Sequence, residues 1–271
     1  MDLLHAHRVS PKLLRNKRLN LFAIRTRFTP SVRKFALPQG ARGKWAAFTL
    51  AEVLITLGII GIVAAITLPS LIQNYQKKVT SARLKEAYSI INQALQMAIM
   101  QHGDIENWDF RDAETILHKY IAPNVKARKY KNKENDHPRL MCFSQGSYTY
   151  TFLSGQGAGA PMMDNSPSLE LANGSCIGLS RVERATAKNI WLFIDINGSK
   201  TLPNVYGKDL FTFLIDIKTA KIIGYGQPND RDTLLTCTDM GCCNKNANFG
   251  GQKCTAVLMY DGWEFKKDYP W

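Results

Sequence analysis

The chain has 271 residues and a formal net charge of +13, a balance that by itself suggests a nucleic-acid-binding protein. The distribution excludes that reading. Eleven Lys/Arg stand in residues 1–47 against the single carboxylate of Asp2, whereas the remaining 224 residues hold 24 Lys/Arg against 21 Asp/Glu. A nucleic-acid-binding body keeps a basic face of its own, and no direct nucleic-acid contact is expected here.

The leader, residues 1–47, contains Pro11, Pro30 and Pro38 and sustains neither a 3.6- nor a 2-residue apolar period, so no stable fold is expected of it. Phe48 to Ile72, FTLAEVLITLGIIGIVAAITLPSLI, is a run of 25 residues with one ionisable side chain, Glu52. About 20 apolar residues cross the hydrocarbon core of a bilayer, so this run is long enough to span one. Basic residues beside such a run stay in the cytoplasm. The expected orientation is therefore N-terminus in, with residues after the span exported. A secretory signal places small residues after its apolar stretch; here Ala46-Ala47 precede it, and a cut after Ala47 leaves the whole helix on the mature chain.

The string AAFTLAEVLITLGIIGIVAAITLP resembles the signal of type IV pilins and type II secretion pseudopilins. In that family a prepilin peptidase cuts before a Phe that is then N-methylated, and a Glu follows four residues later; the matching positions are Phe48 and Glu52, with Pro69 at the place of the family's helix-kinking proline. Ala47 stands where the family usually has Gly. The resemblance implies a structural subunit, not an enzyme, that assembles with identical or related subunits on an inner-membrane platform. Its helix would rest in the bilayer beforehand, with the globular domain in the periplasm or outside. A carboxylate in a membrane helix is costly and calls for a partner. The natural one is the amine that cleavage creates on Phe48, in the same chain or, as the resemblance implies, in a neighbouring subunit. The bland alternative is a Glu favoured by the helix N-terminal dipole.

Gly58, Gly61, Ala64 and Ala65 allow close helix approach, and Pro69 loosens one turn. From Gln73 the sequence turns polar, yet Leu84, Tyr88, Ile91, Leu95 and Ala98 keep one apolar stripe, which predicts a single helix from about 48 to 102 closed by Gly103. It would be about 80 Å long at 1.5 Å per residue.

Residues 104–271 form the expected globular part. A short helix is predicted over Ala113–Tyr120, and KARKYKNK (126–133) reads as a solvated basic loop. Strands are predicted at Tyr148–Leu153, Cys176–Leu179, Ile190–Ile196, Leu210–Ile217, Lys221–Tyr225 and Ala256–Tyr260. The fold class is α+β, a long helix packed through its amphipathic half (73–103) on a mainly antiparallel sheet.

In the loop DINGSKTLPNVYGKD, Asp195, Asn197 and Asp209 offer hard oxygens, and Asn-Gly permits a sharp turn. The pseudopilin resemblance makes calcium the candidate ion; the alternative is an Asx-type surface turn. All six cysteines (Cys142, Cys176, Cys237, Cys242, Cys243, Cys254) follow the span, which suits disulfides in an oxidising compartment. The preferred pairing joins Cys142 to Cys176 and lets the last four staple the C-terminal segment, without a Cys242–Cys243 bond. The tail GWEFKKDYPW is expected to cover a sheet edge or pack on the helix. No GxSxG, HExxH or GxxxxGK[ST] occurs, GQGAG (155–159) reads as a flexible turn, and His102, His118 and His137 have no partner visible in sequence. The rival readings are a monomeric signal-anchored binding protein and an anchored hydrolase.

Overall fold

The structure is a computed structural model that describes residues 48–129, 143, 150–159, 167–180, 189–198 and 201–271. Residues Leu54–Trp271 form one compact unit.

The helix α1 runs from Leu50 to His102 without a break at Pro69. It ends where Gly103 takes a positive φ of 78° and donates its N–H to the Ile99 carbonyl, the left-handed closure that glycine adopts without strain. From Thr80 onward one face is buried: Thr80, Leu84, Ala87, Ile91, Ala94 and Ala98 recur every three or four residues with Leu95 beside them, while Arg83, Lys85, Gln93 and Gln96 remain exposed. Polar ties fix the same face. Ser81 Oγ donates to the Trp263 carbonyl, and Tyr88 Oη donates to that of Ile222 at 3.3 Å.

The short second helix begins as α2 (Ala113–Thr115), capped by Asp112, whose carboxylate accepts from the Thr115 N–H at 2.6 Å. It then widens into a π-helical turn over Ile116–Ile121 and a 3₁₀ turn over Ala122–Asn124. Ile116, Leu117, Tyr120 and Ile121 are all buried.

Among the described residues eight strands follow: β1 (Ala127–Lys129), β2 (Tyr150–Thr151), β3 (Gly157–Gly159), β4 (Ser168–Leu171), β5 (Cys176–Ser180), β6 (Asn189–Asp195), β7 (Leu210–Asp216) and β8 (Lys221–Pro228). Six make one antiparallel sheet in the order β1-β4-β5-β6-β7-β8, and β2 pairs with β3 in a separate two-stranded sheet. The α+β architecture is the expected one. Along β6, Ile190, Leu192 and Ile194 join the core that includes the α1 stripe, while Phe193 belongs to a second cluster with Phe143, Tyr150, Phe152, Tyr206 and Leu210. A strand buried on both faces reads as a continuous apolar run, as WLFIDI does. The Phe143 ring lies so close to Gly178 that a Cβ there would stand 2.5 Å from Cε2.

Several local expectations are corrected. Ala256–Tyr260 is not a strand but most of the helix α4 (Cys254–Tyr260), preceded by α3 (Arg231–Thr236). A short apolar run does not distinguish a buried strand from a buried helix. Here Gly224 of β8 decides the matter, because a Cβ on it would lie 2.7 Å from the Ala256 backbone; only glycine lets α4 sit this close. Part of the basic loop, Ala127–Lys129, is an edge strand on β4, and residues 130–133 lie outside the described residues. Of the strand foreseen at Tyr148–Leu153, Tyr150 and Thr151 form β2, Phe152 and Leu153 lie beyond it and residues 148 and 149 lie outside the described residues; the supposed turn GQGAG supplies its partner, since Thr151 pairs with Gly157.

Candidate functional site

The apolar half of α1 is set apart by what it lacks. From Phe48 to Gln76 every residue is exposed apart from partly buried Ala64. Phe48 is 84% exposed and Ile66 73%, whereas Leu95 further along the same helix is fully buried. The helix is long and apolar enough to cross a membrane, and none of its apolar window is covered by protein. Leaving so many large aliphatic side chains in water opposes the hydrophobic effect at about 25 cal/mol per Å². A contiguous patch of this size marks a membrane or partner surface.

The polar groups of this half are satisfied locally. Thr49 Oγ1 accepts from the Glu52 N–H at 3.2 Å, and Glu52 Oε2 accepts from the Thr49 N–H at 2.8 Å and from its hydroxyl at 3.0 Å. This is a reciprocal capping box. It places Glu52 in the first turn, and the sequence spacing Thr-x-x-Glu carries its signal. Thr67 Oγ1 donates to the Val63 carbonyl and Ser70 Oγ to that of Thr67, so the hydroxyls around Pro69 are used inside the helix. A Cβ on Gly58 or Gly61 would meet nothing within 4 Å, which leaves two open notches for another helix. Ala47 lies outside the described residues.

The loop between β6 and β7 has Asp195 and Asp209 at its two ends. Asp195 and Asp209 are both buried. Asp195 Oδ1 accepts from the N–H groups of Asn197 (3.0 Å) and Gly198 (2.8 Å), and Oδ2 from the Tyr150 hydroxyl (2.6 Å). Asp209 accepts from the N–H groups of Asn204 and Val205, each at 2.6 Å. Each of the four carboxylate oxygens thus accepts at least one hydrogen bond, while Asn197 Oδ1 is buried without a partner. Asn197 turns its Nδ2 to the Thr201 carbonyl at 3.1 Å. Among the described residues no group of three or more His, Cys, Asp or Glu is placed to hold a metal. The two aspartates clamp the loop ends against β6 and β7. Burial pushes the Asp195 carboxyl up to about 7, and burial likewise raises Asp209.

That loop is pressed against a disulfide knot. Cys237 bonds to Cys242 and Cys243 to Cys254, so the last four cysteines pair among themselves and the adjacent pair does not. Cys176 is also in a disulfide, and Cys142, its expected partner, lies outside the described residues. Gly207 packs on Cys254, where a Cβ would stand 3.0 Å from Sγ. The tail is held by Arg231, which donates to both Asp261 and Asp268 at 2.6–2.9 Å. Tyr269 Oη reaches the Gly207 carbonyl. This arginine clamp joins residues 30 and 37 positions apart, a separation at which sequence spacing carries no signal. His102 stands edge-on to Tyr120, His118 pairs with Glu114 at 3.7 Å, and His137 lies outside the described residues.

No curated protein and no solved structure matches this chain. A family model described as "Family of unknown function (DUF6613)" matches residues 70–271, well over half of the sequence and all of it beyond Pro69, and the chain belongs to that family.

Proposed function

We propose that the protein is a type IV pilin-like or pseudopilin-like subunit, cut by a prepilin peptidase before Phe48, held N-in across the inner membrane by residues 48–72, and built into a filament through that helix. The observation that carries this reading is the abrupt change of environment along α1, from wholly exposed apolar residues to a buried stripe on an antiparallel sheet. Such a helix needs lipid before assembly and other helices afterwards, and the notches at Gly58 and Gly61 suit close packing. The subunit acts by assembling and being extracted, not by chemistry.

The capping box gives Glu52 two separable tasks. Its Oε2 caps the helix start, and its charge is available to the Phe48 amine of the same or a neighbouring subunit. Glu52→Gln keeps the cap, since Gln serves at that position, but removes the charge; Glu52→Ala removes both. Both variants are expected to be cleaved, and both to fall out of filaments sheared from cells. Normal incorporation of Glu52→Gln would confine Glu52 to capping and refute the charge role. The Thr49–Glu52 contacts also favour one second reading, an anchored monomer whose Glu52 is a cap and nothing more, and the same variant decides between them.

A further inference from the structure

The 25-residue apolar run is about 37 Å long at 1.5 Å per residue, against about 30 Å of hydrocarbon core. The excess is about 7 Å, or about five residues of helix. Such an excess is ordinarily absorbed by tilting the helix or thickening the bilayer. In this chain the globular domain already flanks the last turns of the run. An open cleft of about 530 Å³ has Ile66, Pro69 and Ile72 on its helix wall, polar Gln76 beyond them, and Lys208 and Trp271 opposite. From Ile66 to Ile72 the helix rises about 9 Å, close to the excess.

That cleft crosses from apolar to polar. Ile66 is 73% exposed and Ile72 52%, so the domain stands beside these residues without covering them. Trp271 is partly buried, meets Phe265 edge to face at 4.7 Å and has Lys77 Nζ 5.8 Å from its ring. Further along α1 a second cleft is lined by Asn74 and Lys78 of the helix and by Trp263 and Glu264 of the tail. Between the two tryptophans the tail carries exposed Glu264, Lys266, Lys267 and Asp268. Charged side chains of either sign are costly in hydrocarbon, whereas Trp rings and the stems of Lys suit a membrane–water boundary. A rim of tryptophan and mixed charge, continuous with the end of an apolar helix, therefore fits the headgroup region of a bilayer. Its mixed charge makes no demand for anionic lipid.

We propose that the hydrocarbon boundary on the exported side lies at Ile66, not at Ile72, and that the globular domain rests on the bilayer there, with Trp271 and Lys208 among the headgroups. The partner is the phospholipid surface of the leaflet into which the span emerges. The proposal rests on reading residues 48–72 as a membrane-crossing run.

The test uses the full chain in phosphatidylcholine vesicles, with Trp45→Phe in every sample so that only Trp108, Trp191, Trp263 and Trp271 fluoresce. Bromine on the acyl chains quenches tryptophan at short range, and it is placed either close to the headgroup or at the bilayer centre. Flotation with the vesicles reports insertion. Shallow bromine should quench part of the emission and deep bromine should not. Trp271→Phe, which keeps an apolar ring, should lose most of the shallow quenching, while Trp108→Phe and Trp191→Phe should keep it. Added phosphatidylglycerol should change neither result. No shallow quenching in inserted protein overturns the seating and leaves the span intact. Quenching as strong from the bilayer centre puts Trp271 in hydrocarbon and overturns the boundary at Ile66. Shallow quenching that survives Trp271→Phe, or that appears only with phosphatidylglycerol, also overturns the proposal. Failure to float with the vesicles overturns the span and the seating together.

Discussion

The two halves of α1 share one backbone and opposite surroundings. Up to Gln76 the side chains are exposed but for partly buried Ala64, and from Thr80 onward one face fills the core beneath a six-stranded sheet. Helix formation is therefore uninformative about role in this chain; what each half buries, and in what, carries the information. The largest test of that contrast is a matched pair of substitutions. Leu95→Ala should lower the stability of the globular domain by about 2–5 kcal/mol, the range for buried large-to-small changes. Ile62→Ala should leave thermal melting in detergent unchanged and weaken assembly alone. Equal effects on melting would erase the distinction.

Much of this was legible beforehand because periodicity is a local signal. The stripe from Leu84 to Ala98, the Gly103 stop and the two central strands all lie in runs whose period declares one buried face or two. What escaped depended on contacts distant in sequence. Val257 and Leu258 could have been strand or helix until Gly224 offered a surface without a Cβ. The edge strand Ala127–Lys129 is defined only by its partner β4. That Asp195 and Asp209 accept the loop's own amide hydrogens depends on the folded path of the chain, which composition does not show. The Thr49–Glu52 spacing was readable as a capping box, but Glu52 drew the interpretation towards its charge.

A smaller effect sharpens the same contrast through the disulfides. Cys243→Ser/Cys254→Ser opens the bridge that ties the start of α4 to the loop before it, and should cost the domain about 2–4 kcal/mol. Membrane retention of the apolar half should be untouched. Loss of retention on removing this bridge would mean that the two halves do not act separately.

The smallest expected effect is a pH dependence confined to the globular side. Burial raises Asp195 from its ordinary range up to about 7 in the fold. A carboxyl raised on folding stabilises the fold most below its unfolded pKa of about 4, and that contribution is lost as the pH rises towards 7. Asp195→Asn keeps an acceptor for the Asn197 and Gly198 amides and removes the titration. The melting temperature of wild type relative to Asp195→Asn should therefore fall between about pH 4 and 7. A difference that is flat or rises over that window would show that Asp195 is ionised in the fold without cost.

The central claim is that the exposed apolar half of α1 belongs to the finished protein. Mass spectrometry of the mature N-terminus after expression beside a prepilin peptidase tests it directly. The account predicts a chain that begins at N-methylated Phe48. A chain that still carries residues 1–47, or one that begins beyond Ile72, would contradict it.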